Sequence, residues 1–175
     1  MTKSAFRTAA LAAAAIGAAC APTLDWREFV PEGSDISVRF PCRPDRSARS
    51  VTIAGATVQM QMLACSAGNA TFALAFVEVA DPARIGATLA ALRDTAVANV
   101  HAGEPRSAAL QIQGMTPNEQ SGRLAVTGRL PDGAAVQEHA VFFTRGLRVY
   151  QAAVIGAAPA PEAVETFIGG LKFPG

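Results

Sequence analysis

The chain is short of the materials from which most catalytic centres are built. It has two histidines, three cysteines and one tryptophan in 175 residues. A catalytic zinc commonly takes about three protein ligands, so His101 and His139 would need a carboxylate brought in by the fold. No metal or cofactor is expected. There is no Gly-x-Ser-x-Gly elbow to project a serine, and Cys65-Ser66-Ala67-Gly68 reads only as a turn. There is no Gly-x-Gly-x-x-Gly or Gly-x-x-x-x-Gly-Lys loop to cradle phosphate. Gly169-Gly170 ends a helix, where its amides face the wrong way for an anion. Charge is scarce too. Charged residues make up 17% of the chain, and 15 Lys+Arg against 14 Asp+Glu leave a net charge of +1. The strong basic excess of a nucleic-acid binder is missing, and no nucleic-acid partner is expected. Half the residues are hydrophobic, which excludes a highly charged disordered tail. Fifteen glycines without a period exclude a collagen-like chain.

What is present begins with a leader. Lys3 and Arg7 precede Ala9–Ala19, eleven residues without a polar side chain, and Cys20 closes the run. A basic start, a short apolar stretch and small residues at its end describe a secretory signal. As a helix the stretch spans roughly 16 Å, about half the hydrocarbon thickness, which argues against a spanning helix. Its ending, Ile16-Gly17-Ala18-Ala19-Cys20, resembles the lipobox of bacterial lipoproteins, with Gly17 standing where leucine is usual and Ala18 and Ala19 matching the pattern. The resemblance implies a diacylglyceryl group on the Cys20 thiol, cleavage before Cys20 and acylation of the new amine. Ala21 is not the aspartate that often retains such proteins in the inner membrane, so the resemblance favours the outer membrane. Ordinary cleavage after an Ala-x-Ala pattern and an uncut anchor are the alternatives. Removing residues 1–19 takes away Lys3 and Arg7 but no acid, leaving a net charge of −1.

Setting Cys20 aside leaves Cys42 and Cys65, an even pair suited to an oxidising compartment. Closing the loop between them is worth about 3 kcal/mol in the chain-entropy model. Two free buried thiols are the alternative.

Residues 20–33 read as a tether broken by Pro22, Pro31 and Gly33, with Trp26 packing it onto a single domain over 34–175 or meeting a membrane or partner. Alternation predicts strands over Ile36–Phe40, Ser50–Ala54 and Thr57–Ala64, the last two joined at Gly55-Ala56. Thr71–Val79 is apolar on both faces, as in a covered central strand. Asp81-Pro82 starts a helix whose stripe is Ile85, Leu89, Leu92, Ala96 and Val100, ended by Gly103 and Pro105. A short strand over Ala108–Gln113 precedes a meander of Gly122–Leu130, Ala135–Thr144 and Leu147–Ile155. A last helix follows Pro159-Ala160-Pro161, with Val164, Phe167, Ile168 and Leu171 on one side.

The expected fold is α+β: a mainly antiparallel sheet of about six or seven strands with a mid-chain and a C-terminal helix, both on one side. Ser37-Val38-Arg39-Phe40-Pro41, the mid-chain helix, Tyr150-Gln151-Ala152-Ala153-Val154 and Gly170-Leu171-Lys172-Phe173 together resemble the PsbP-like α/β/α sandwich. That superfamily includes a photosystem II accessory protein, a nuclear import factor that binds a small GTPase, and bacterial envelope lipoproteins. With Asp25-Trp26-Arg27-Glu28 ahead of it, the pattern also resembles small proteobacterial envelope proteins. That comparison supplies no activity.

One cluster stands out. Arg39, Arg43, Arg46 and Arg49 lie within eleven residues, interrupted among charges only by Asp45. Guanidinium forks suit lipid headgroups, an acidic partner or a phosphorylated ligand. Equally, charges along an exposed strand protect it from unwanted pairing. Met60 and Met62, beside Val58, read as core or as the lining of an adaptable groove. Glu162 and Glu165 favour the dipole of the last helix. The expected function is a non-enzymatic envelope lipoprotein, anchored to the membrane through Cys20 and meeting an envelope protein partner. The alternative is a periplasmic small-ligand-binding protein with a pocket between sheet and helices lined by Met60, Met62 and Phe76. An enzyme of unfamiliar mechanism is a third.

Overall fold

A computed structural model describes residues 23–101 and 104–174. The leader, Cys20 and Gly103 lie outside the described residues. Nine strands and two helices follow in the order β1 (Arg27–Phe29), β2 (Val38–Phe40), β3 (Asp45–Ile53), β4 (Ala56–Ala67), β5 (Ala70–Glu78), α1 (Ile85–Asn99), β6 (Arg106–Ala108), β7 (Gly122–Arg129), β8 (Ala135–Arg145), β9 (Arg148–Gly156) and α2 (Pro161–Gly169). β1 and β2 form a small sheet, and the other seven form one sheet in the order β3-β4-β5-β9-β8-β7-β6. Every strand pair is antiparallel. The α+β fold with a mid-chain and a C-terminal helix is therefore as expected.

The two helices do not share a side. α1 places Leu89, Leu92 and Ala96 among Val77, Phe142 and Ala153 on one face of the sheet. α2 places Val164 and Phe167 among Phe72, Val154 and the small-sheet residues Val38 and Phe40 on the other. β5 and β9 lie at the centre because Phe72, Leu74, Val149 and Val154 are apolar in both directions and must be covered twice. Their close approach needs Gly156, where a Cβ would meet the Asn69 carbonyl oxygen at 2.5 Å.

Local signals account for most boundaries. Asp81 accepts from the Ala83 amide at 2.9 Å and opens a 3-10 turn, Pro82–Arg84, that leads into α1. The β3–β4 hairpin turns on Ala54 and Gly55, at φ +48° and +76°, one residue earlier than expected. Cys65 to Ala67 belong to β4 rather than to a turn, and Gly68-Asn69 makes the reversal. The strand expected over Ala108–Gln113 is displaced to Arg106–Ala108, and Leu110 and Ile112 instead plug the α2-side core from a loop.

The segment expected as a tether carries β1, whose Glu28 stands opposite Arg39. Leu24, Trp26 and Phe29 cover the core edge, and the Trp26 ring stands edge-on to Phe72 at 5.8 Å. Glu28 accepts from the Ser37 hydroxyl at 2.5 Å and pairs with Lys172 at 3.3 Å. The Ser37 bond, then Lys172, holds its carboxyl below the usual range. Cys42 and Cys65 form a disulfide with an S–S distance of 2.07 Å, tying the β2–β3 connection to β4.

Candidate functional site

The arginine cluster becomes an edge. β3 begins at Asp45, five residues before the expected Ser50, and is the terminal strand of the large sheet. Asp45 to Ser50 are all exposed. Cross-strand partners share a face of the sheet, so Arg46, opposite Leu63, faces the α2 side, while Arg49, opposite Met60, faces the α1 side. Arg39 sits on β2 against Gly170, and Arg43 lies in the connection after the disulfide cysteine Cys42. The four guanidiniums therefore do not converge on one point.

They share a different property. Arg27, Arg123, Arg148 and Lys172 are each paired with a carboxylate. Arg84, Arg93, Arg129 and Arg145 donate to backbone carbonyls. Arg39, Arg43, Arg46 and Arg49 are exposed and have no ion-pair or side-chain hydrogen-bond partner among the described residues. Arg106, on the opposite edge strand, shares that state.

Each face of β3 borders a concavity. On the α2 side an open groove of about 490 Å³ runs over Gln59 and Gln61 of β4, Phe76 and Glu78 of β5 and Arg148 of β9, with Arg46 at its rim and Glu32-Gly33 as its wall. The wall is held down from below. Tyr150, whose hydroxyl is pushed up to about 12 by burial, donates to the Ser34 carbonyl, and the Ser34 hydroxyl donates to Pro31 O at 2.6 Å. Arg148 is engaged by Asp35 and, at 3.7 Å, by Glu78. Gln59 donates to Ser50 at 3.0 Å. On the α1 side a cleft of about 200 Å³ lies between Leu92, Ala96 and Asn99 of the helix and Arg49, Met60, Met62 and Ala75 of the sheet.

Met60 and Met62 thus line a space between sheet and helix, but Phe76 does not join them. It stands opposite Gln61 and opens onto the other face. Alternation along β4 placed the methionines correctly; the register with β5, which no local pattern encodes, separated them from Phe76.

The remaining titratable residues are dispersed. His139 is half-buried on the α2 side, where burial and then the Arg123 guanidinium lower its basicity. Arg123 pairs with Glu165 at 2.6 Å. His101 follows α1 in the left-handed region at φ +41°. Glu138 faces the α1 side between Val126 and Ile155 and is only 3% exposed. Burial pushes its carboxyl up to about 7. Sequence reasoning missed Glu138 as a perturbed group, although its place in the alternation Val136, Glu138, Ala140 marked it as an acid in an apolar row. It missed Arg148 as a neighbour of Gln59 and Gln61, because β4 and β9, two strands far apart in sequence, bring them together. No group of three His, Cys, Asp or Glu side chains that could hold a metal occurs among the described residues. Compared with known proteins, the chain matches no family model and no curated protein.

Proposed function

We propose that this chain is a non-enzymatic lipoprotein of the bacterial envelope, anchored through Cys20 and facing the periplasm from the outer membrane, whose folded domain is an accessory module for another envelope protein. The observation that carries the reading is the exposed edge strand with Arg46 and Arg49, unpaired among the described residues, on its two faces, each beside a concavity. An unpaired guanidinium is a strong, geometrically selective donor to carboxylates. The groove beneath Arg46 is lined by guanidinium, carboxylate and carboxamide groups around Phe76, with no serine, cysteine, lysine or histidine among its described lining. That set of donors and acceptors suits recognition of a polar partner. The Cys42–Cys65 disulfide supports an oxidising compartment, and the lipobox-like ending and the resemblance to envelope lipoproteins support the anchor.

The small-ligand alternative has the cleft under α1 in its favour. At about 200 Å³ that cleft falls below the roughly 300 Å³ at which ligand pockets begin. It has room for one apolar side chain of a partner.

Intact mass of the protein from isolated envelopes tests the anchor. The expected species begins at Cys20 and carries acyl mass, and density separation finds it with the outer membrane. Cys20→Ala is expected to lose both. An unmodified mature chain in the soluble periplasm would overturn the anchor.

A further inference from the structure

Building on that reading, we infer that the partner supplies an extended segment that adds to the seven-stranded sheet as an eighth strand along β3, alternating acidic side chains on one face with apolar side chains on the other. The two ends of the large sheet are unlike. β6 is a three-residue edge, too short to template another chain, whereas β3 is a nine-residue edge paired without a bulge from Asp45 opposite Ala64 to Ile53 opposite Ala56. Pro44 stands just before it and no proline lies within it. Its outward backbone donors and acceptors are therefore presented in a regular row, which is what strand addition uses for affinity. Pockets for alternate side chains then supply selectivity. Here the two faces differ: Arg46 stands at the rim of a groove whose polar lining is Gln59, Gln61, Glu32, Glu78 and Arg148, and Arg49 stands beside the Met60–Met62 cleft.

The unpaired arginines favour one occupant over another. Two copies of this edge would bring two Arg46 and two Arg49 guanidiniums into one interface with only the two Asp45 carboxylates to offset them, whereas an incoming acidic side chain would pair with Arg46. The same residues guard the edge against self-association and select a complementary partner. A segment entering this way has its carboxylates on the Arg46 side and an apolar side chain filling the cleft on the other.

The test uses the full lipid-bearing chain in detergent and a fluorescent nine-residue peptide that alternates glutamate with leucine. Two isomers carry N-methyl groups on alternate backbone nitrogens, one set facing the expected strand partner and one facing away. Fluorescence anisotropy is expected to show binding of the parent peptide and of one isomer, with at least about a tenfold loss for the other. Arg46→Glu is expected to weaken the parent peptide about tenfold or more, and Arg106→Glu on the far edge to leave it unchanged. Equal binding of both isomers would overturn strand addition while leaving an arginine-edge interaction in place. Failure of the parent peptide to bind would show the arginines to be edge protection alone. A dimer in sedimentation that the peptide cannot dissociate would place a second copy on β3 and overturn the inference. The anchor is read separately, from the mass at Cys20.

Discussion

On the α2 side of the large sheet, Phe40, Phe72, Phe76, Phe143, Tyr150, Phe167 and Phe173 pack together. Phe72 and Phe40 meet Phe167 edge-on at 5.4 and 5.3 Å, and Phe143 stacks on Tyr150 at 5.1 Å. On the α1 side Phe142 is the only buried aromatic among the described residues, and the rest of that cluster is valine, alanine, leucine, isoleucine and Met60. The α2 side is also stapled by the disulfide and covered by three elements. The α1 side is covered by one alanine-rich helix and contains the buried Glu138. Large rings fill space from few positions and add edge-to-face attraction, whereas small side chains leave gaps that only a neighbour can fill. The ring packing is therefore concentrated on the α2 side, whereas the α1 side holds a cleft beneath its helix and an acid with no side-chain hydrogen-bond partner among the described residues.

That contrast can be broken by measurement. Phe167→Ala removes a ring wedged between two others and is expected to cost about 4 kcal/mol in urea unfolding, with Trp26 fluorescence as the probe. Leu89→Ala, equally buried beneath α1, is expected to cost about 3 kcal/mol. A larger loss at Leu89 would reverse the ranking of the two faces.

The staple comes next. Cys42→Ala with Cys65→Ala opens a loop of 23 residues and is expected to cost about 3 kcal/mol. The parent protein should lose the same amount in reductant, and the double variant should not respond to it. A parent stability indifferent to reductant would move the source of rigidity to the rings alone.

The smallest effect is expected from the other face. In the folded chain the Glu138 carboxyl keeps its proton up to about pH 7, whereas its ordinary value is 4.5. Below both values the acid is neutral in both states and contributes no difference. Between them the unfolded chain ionises first, so stability falls as pH rises through this window and levels off above it. Glu138→Gln is expected to flatten that decline and to raise stability at pH 8 by about 2 kcal/mol. An unaltered pH profile would mean that the carboxyl is solvated and the α1 side better hydrated than its burial implies.

Much of this was legible beforehand where a local rule had a local cause. Asp81-Pro82 caps a helix wherever that helix packs, and the stripe from Ile85 to Val100 needs only a 3.6-residue period. The even pair left once Cys20 is set aside suggested the Cys42–Cys65 bridge, and the doubly apolar 71–79 run suggested a central strand. β1 was hidden because Asp25 to Phe29 is too short to show a period. Asp45 to Arg49 was hidden for a deeper reason. A strand exposed on both faces and along one side has no apolar alternation to reveal it, so the residues that make the best candidate site were the least readable as structure.

Local patterns in the chain settled which side chains share a face of their own element, where α1 is capped and, to within a few residues, where the hairpins turn, because neighbours close in sequence impose those choices. Folding in three dimensions decided which element covers which face, that β3 rather than another strand stands at the open end, and that Arg46 and Arg49 part company across the sheet. Those outcomes depend on pairings between residues far apart in sequence, and no short-range pattern carries that information.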